Sequence, residues 1–170
     1  MVRDLQKLKE QFLSAPTARI DSFRGEHVFL SNFSPDGFRD EFGNWWNTNE
    51  HYFQAYKAED DEWFGKIMVA KSPSEAKKLG KKCPIRKDWE YLRVAVMMHG
   101  LRLKFDQNEE IKSKLIDTMY AELVEGNTWG DDFWGVCRGR GKNMLGKLLM
   151  MLRVSYVSEL LRKHKLIEEV

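Results

Sequence analysis

The 170-residue sequence predicts an α+β fold, a mainly helical single domain over residues 1–170 with a small β portion near its N-terminus. Three observations carry that expectation. Residues 19 to 47 mix β-branched and aromatic residues with turn formers at Gly25, "SPDG" and Gly43. From Thr48 onward, apolar residues recur at helical spacing between capping residues. A chain of this length, 42% apolar and 32% charged, buries one sizeable core without needing a second domain.

The elements follow in order. Val2, Leu5, Leu8 and Phe12 are spaced as on an amphipathic helix over residues 2 to 13. "RIDSFRGEHVFLSNF", Arg19 to Phe33, reads as short strands around a Gly25 turn, and "FRDEFGNWWN" as a hairpin through Gly43. Thr48 caps a helix over "NEHYFQAY", and "DDEWFGKIMVA" gives another short amphipathic segment. "SPSEAKKLG" has the fullest helix grammar: Ser72 as N-cap, Pro73 at the first helical position, Glu75 completing a capping box and Gly80 past the end. Asp88 caps a long helix to about Phe105, with Leu92, Val96, His99 and Leu103 near one face, and Asn108 caps "EEIKSKLIDTM". A breaker-rich loop, "EGNTWGDDFWGVCRGRGKN", precedes a last helix over "MLGKLLMMLRVSYVSELLRKHK".

Composition removes several classes of function. Six Trp, ten Phe and the high apolar content exclude a disordered chain, and a net charge of +2 is too near neutral for a dedicated nucleic-acid binder. Cys83 and Cys137 stand far apart, giving neither a zinc spacing nor a disulfide framework; the expected compartment is the reducing cytoplasm. No run of ~18 apolar residues occurs, and the charged N-terminus does not resemble a signal peptide, so no membrane partner is expected.

Chemistry can reside in three places. Glu50 falls at about the second position of its helix, where free N–H groups and the helix dipole favour an anion; dipole compensation alone explains an acid there too. Glu50, Gln54 and Lys57 follow i, i+4, i+7, a polar line beside Tyr52, Phe53 and Tyr56. In "CPIRKDWEY", Arg86 and Lys87 can receive a phosphate and Trp89 can stack on a planar ring, though Trp89 serves equally as a core anchor. In "WGDDFWGVCRGRGKNMLG", glycines let backbone approach a ligand, Arg138, Arg140 and Lys142 supply charge, and Asn143 opens the last helix. This is neither a Walker A loop nor a dinucleotide fingerprint, and no Ser-His-Asp order or metal-ligand spacing stands out.

Taken together, "FLSNFSP" (29–35), "NEHYFQAYKA" (49–58), "SPSEAKKLG" (72–80), "IRKDWE" (85–90), "LRLKFDQN" (101–108), "LVE" (123–125), "DDFWG" (131–135) and "GRGKNMLGKLLMMLR" (139–153) resemble the YbiA-like family, also called the NADAR (NAD and ADP-ribose related) superfamily. The resemblance covers about residues 20 to 155. It implies an N-glycosidase that cleaves a C–N bond between a ribosyl carbon and a nitrogen. The implied substrates are phosphoribosylamino-pyrimidine intermediates of riboflavin synthesis or, alternatively, ADP-ribosylated guanine in nucleic acid; a non-catalytic NAD or ADP-ribose binding module is a further alternative. By the same resemblance the catalytic residues are Glu50, Trp89, Asp131 and Trp134, with Asp132 the other candidate for the family acid. Asn32, Gln54, Lys57, Arg86, Lys142 and Asn143 are the substrate-binding candidates. No cofactor and no metal is implied. Val136 and Cys137 depart from the family's usual acidic or glycine-rich stretch after "WG".

Overall fold

The computed structural model describes residues 18 to 163, so the helix expected over residues 2 to 13 lies outside the described residues. Two compact units make up the chain: Arg24–Lys112, and a second that joins Met1–Phe23 to Ser113–Val170.

The unit Arg24–Lys112 departs from expectation at its start. Gly25–Leu30, expected as strand, coils into a 3-10 helix: Gly25 takes φ 57°, His27 N donates to Arg24 O at 3.0 Å, and Phe29 and Leu30 are buried at its end. The hairpin forms as its sequence requires. Strands β2 (Phe38–Arg39) and β3 (Trp45–Trp46) pair antiparallel with Phe38 opposite Trp46, and Gly43 takes the left-handed φ of 84°. One carboxylate organises the turn: Asp40 accepts from Phe42 N (3.0 Å), Asn44 N (2.9 Å), Asn44 Nδ2 (2.9 Å) and Trp46 Nε1 (3.0 Å).

Helix α1 (Asn49–Tyr56) begins at Thr48, whose Oγ1 accepts from His51 N. It buries every side chain from Asn49 to Ala55, an all-round burial that marks a central helix. Tyr52 and Ala55 join Phe38, Trp46, Ile67, Ala70, Ala76 and Cys83 in one apolar cluster, with Trp46 edge-on to Tyr52 at 5.3 Å. Helix α2 (Asp61–Met68) is capped by Asp60, which accepts from Trp63 N at 2.8 Å.

Helix α3 spans Pro73–Lys82, with Ser72 as N-cap and Pro73 first. The expected capping box is shifted, because Glu75 accepts from the backbone of Lys71 rather than of Ser72. Gly80, expected past the helix, lies inside it, and its reason for being glycine is tertiary: a β-carbon there would sit 2.0 Å from Oε1 of Gln54 on α1. Helix α4 spans Trp89–Asp106; Asp88 stands at the N-cap position, but its carboxylate is taken by Arg86 instead of a helix N–H.

The buried face of α4 is not the expected one. Met97, Gly100, Leu101, Lys104 and Phe105 are buried, whereas His99 is exposed and pairs with Glu41. Two of the inward positions are glycine and lysine, so a periodicity read from apolar residues alone points about 100° away, one residue along the helix. Lys104 is fully buried, and its ammonium donates to Phe29 O (2.7 Å), Ser31 O (3.0 Å) and Ser34 Oγ (2.7 Å). Ser34 Oγ donates onward to Asp36, whose carboxylate lies 3.9 Å from Nζ. Burial pushes Lys104 down to about 7, with Asp36 opposing the shift. Helix α5 (Glu109–Asp117) follows Asn108 and crosses the sequence boundary between the units.

In the other unit, strand β1 (Arg19–Ile20) pairs parallel with β4 (Glu122–Leu123), Ile20 opposite Leu123. Helix α6 (Met144–Lys163) lies against β4 and buries Leu145, Leu148, Leu149, Leu152 and Tyr156. Gly146 permits the approach: a β-carbon there would be 2.0 Å from Leu123 O. The loop expected after Glu125 contains two further strands, β5 (Gly126–Asn127) and β6 (Val136–Cys137), which pair parallel. The architecture is α+β, mostly helical, though its short strands are not confined to the N-terminal part.

Candidate active site

Glu50 is the second residue of α1 and only 5% exposed. Its backbone N–H, one of the donors a helix start leaves unpaired, is taken by Asn32 O at 3.0 Å. Asn32 is itself fixed, since its Oδ1 accepts from Asn49 Nδ2 at 2.9 Å, and both amides donate to Met97 Sδ. The segment carrying Asn32 is the one that Lys104 clamps from α4. A chain of bonds thus runs from a buried lysine through a loop to the amide of the acid.

The carboxylate is held from its own helix. Gln54 Nε2 donates to Glu50 Oε1 at 2.8 Å, one turn on. Lys57, a further turn along, donates to Gly80 O at 2.6 Å. Burial lowers the Lys57 pKa, while the nearby Cys83 and Glu50 charges raise it. The polar line of Glu50, Gln54 and Lys57 is therefore a set of side chains tied to one another and to α3.

His51 lies beside this line but plays no part in it. Its two ring nitrogens are engaged by Thr48 Oγ1 (2.8 Å) and Ala70 O (3.1 Å), and burial lowers its pKa, so it is a satisfied core histidine. Trp89 is 6% exposed and packs on Phe53 with ring centroids 5.0 Å apart. Arg86 donates its backbone N–H to Lys57 O at 3.2 Å, and its side chain is taken by Asp88 at Nε and Nη2, 2.6 and 3.0 Å, a pairing that raises the Arg86 pKa. Both side chains line a cleft of about 320 Å³ with Tyr56, Phe64, Asp60 and Asp61, at the C-terminal end of α1.

The other unit carries Asp131, Trp134, Lys142 and Asn143. Asp131 acts on its own loop: its carboxylate accepts from Trp134 N at 2.9 Å, while its backbone makes reciprocal bonds with the Asn127 side chain. Asp132 contributes its carbonyl to Lys142 N at 2.7 Å. Lys142 Nζ lies 5.3 Å from the centroid of the Phe133 ring, which meets Trp134 edge-on. Asn143, at φ 51°, bridges the unit's segments by accepting from Glu125 N (3.0 Å) and donating to Leu123 O (2.8 Å). Within Arg24–Lys112, Asn49, Lys104, Gly80 and Gly100 contact the Glu50 helix or the loop that holds it, and in the other unit Asn127 braces the Asp131 backbone; none stands out in the sequence, where an asparagine directly preceding a motif acid is the one local signal. Among the described residues, no three His, Cys, Asp or Glu side chains converge as metal ligands would, and no helix is long and apolar enough to cross a membrane.

A family model for the NADAR domain matches residues 21–156. The chain is similar to the N-glycosidase YbiA of Shigella flexneri serotype 5b, with 43% identity over 127 residues that cover 73% of this chain and 78% of that one. It is similar to a riboflavin biosynthesis protein of Vibrio vulnificus, 38% identical over 130 residues, which are 75% of this chain but 35% of that longer one. Its fold is similar to the NMR structure of the Escherichia coli protein YbiA, with a TM-score of 0.76, 36% identity and 92% of each chain covered.

Proposed function

The chain belongs to the NADAR domain family and is a hydrolase of N-glycosyl bonds, and we propose that Glu50 is the carboxylate through which it works. Cleavage of an N-ribosyl bond develops positive charge on the sugar and negative charge on the departing base. A carboxylate must stabilise that cation or activate water, and remote binding energy must orient the reacting carbon. Glu50 suits the first of these roles, being buried, fixed at backbone and carboxylate, and set where the helix start favours negative charge. That acid, held once at its backbone and once at its carboxylate, carries the proposal.

The substrate is a small ribosyl compound, and the riboflavin biosynthesis relative supports a phosphoribosylamino-pyrimidine. Arg86, Lys142 and Asn143 are our phosphate and ribose candidates, and Asn32 and Lys57 are further binding candidates. Arg86 reaches a phosphate by exchanging Asp88 for it. Trp89 and Trp134 are our candidates for stacking on the base, and Asp131, which holds the backbone of Trp134 at 2.9 Å, is our candidate for sharing the carboxylate work or positioning the ribose hydroxyls. The family match takes in most of both compact units, which supports treating residues 1–170 as one family domain. Two unbridged cysteines, Cys83 and Cys137, fit the cytoplasmic setting we infer.

A second reading, removal of ADP-ribose from guanine in nucleic acid, draws on the exposed Lys78, Lys81, Lys82 and Lys87. Mass spectrometry separates the two. The purified protein is offered a phosphoribosylamino-pyrimidine and, separately, an oligonucleotide bearing ADP-ribosylated guanine, each beside Glu50→Gln. Free pyrimidine establishes the metabolite reaction; restored guanine establishes the nucleic-acid one. Cleavage of neither would leave a binding module, and full turnover by Glu50→Gln would remove Glu50 from the mechanism.

A further inference from the structure

Gln54 offers only one end of its amide to Glu50. A carboxylate oxygen accepts hydrogen bonds and does not donate them, so the Gln54 nitrogen must face Glu50 and its oxygen must face away. That oxygen is buried and accepts no hydrogen bond among the described residues. It turns instead to the bare Cα of Gly80 on α3, where a β-carbon would intrude to 2.0 Å from Oε1 and 2.8 Å from the amide carbon. The same glycine's carbonyl receives the Lys57 ammonium at 2.6 Å. One backbone unit on a neighbouring helix therefore meets the side chains at both i+4 and i+7 from Glu50.

We propose that Gly80 is a positioning residue for the N-glycosidase reaction: its missing side chain is the seat that turns the Gln54 amide onto the Glu50 carboxylate. This rests on the reading of Glu50 as the working carboxylate. Gly80 lies within α3, where alanine is intrinsically the better helix former, so helix stability gives no reason for glycine there. What glycine provides is room. Gln54 is then an orienting group for Glu50 rather than a substrate ligand, which revises the expectation drawn from its place in the motif.

The test compares Gly80→Ala, Gln54→Met, their double variant and Glu50→Gln by steady-state hydrolysis of a phosphoribosylamino-pyrimidine. The severe part of the clash in Gly80→Ala falls on the far end of a flexible side chain, with Gln54 Cβ at 3.0 Å needing to give by only a few tenths of an ångström, so we expect the amide to swing aside and the protein to fold with a modestly lowered melting temperature. We expect kcat to fall about ten- to hundredfold in each single variant with KM within about twofold, the loss of one charge-assisted hydrogen bond. The double variant should be no slower than the slower single one, because both changes break the same contact. A rise in KM at unchanged kcat, additive losses, or unchanged kinetics in Gly80→Ala would overturn the proposal. So would a Gly80→Ala protein that does not fold, since the seat would then serve the fold alone. If Glu50→Gln itself turns over normally, the failure lies in the reading of Glu50 instead.

Discussion

Lys104→Met tests the clamp beneath the site. Methionine matches the length of the buried lysine stem but donates nothing, so Phe29 O, Ser31 O and Ser34 Oγ each lose a donor. Ser31 O keeps its bond from Ser34 N at 3.3 Å and Ser34 Oγ keeps its bond to Asp36, so the three are not all orphaned; each buried acceptor left orphaned costs about 1–3 kcal/mol. Removing a desolvated charge offsets part of that sum, and deleting one partner of a buried charged network leaves a net cost of about 3–5 kcal/mol. At about 2–4 °C per kcal/mol for a chain of this size, the melting temperature should drop by about 6–20 °C. Urea unfolding followed by circular dichroism gives the free energy directly.

The same variant carries a pH signature. Because burial holds Lys104 at about 7 against 10.5 in the unfolded chain, the unfolded state binds more protons between those values. The lysine's contribution is therefore poorest below about pH 7 and improves as pH climbs towards 10.5. Stability of the parent relative to Lys104→Met should rise across that window. A loss under about 1 kcal/mol, or a difference that does not change with pH, would refute the reasoning: the acceptors would not depend on the ammonium, or the ammonium would keep its proton throughout.

Three other outcomes are expected. Glu50→Gln should lower turnover by ~10² or more while still binding substrate, read by kcat against ligand affinity. Burial pulls the Asp40 carboxyl upward, but bonds from Asn44, Trp46 and Phe42 outweigh it and hold the group below its usual 3.8. Its stabilisation is thus present above that value and lost as pH falls through the depressed one, so melting curves of the parent and Asp40→Asn should draw together in acid. In Gly100→Ala the new β-carbon would meet Asn49 Oδ1 at 2.1 Å and the Tyr52 ring at 2.7 Å. With the ring held in the core, denaturation should report a loss of about 1–3 kcal/mol despite alanine's helix propensity.

What could be read from the sequence was what neighbours in sequence decide. Thr48, Ser72 and Pro73 start their helices through bonds and φ restrictions spanning three residues, and Gly43 closes the hairpin through its own backbone. The acid at the start of α1 was legible for the same reason. Gly80 misled, and Gly100 and Lys104 gave no signal, because their roles belong to other segments of the chain. Gly80 resembles a helix stop, Gly100 a weak point, and Lys104 a solvent-facing residue, until Gln54, Asn49 and the Phe29–Ser34 carbonyls are brought against them. The Gly25–Leu30 segment failed as a strand because two aromatic or aliphatic side chains can be buried as well from one turn of 3-10 helix as from a pleat.

The all-round burial of α1 decides who must travel. On the reading of Glu50 as the working carboxylate, a helix buried on every side gives it little reach, so the ribosyl carbon has to be carried to it on a group slim enough to leave its surroundings. A free nucleotide-like metabolite does that at no cost. A modified guanine inside a duplex would first have to be unpaired and swung out of the stack, at a few kcal/mol, before Glu50 could act on it. Any polymer this protein serves should therefore be cleaved faster as a single strand, or at a frayed end, than within intact double helix.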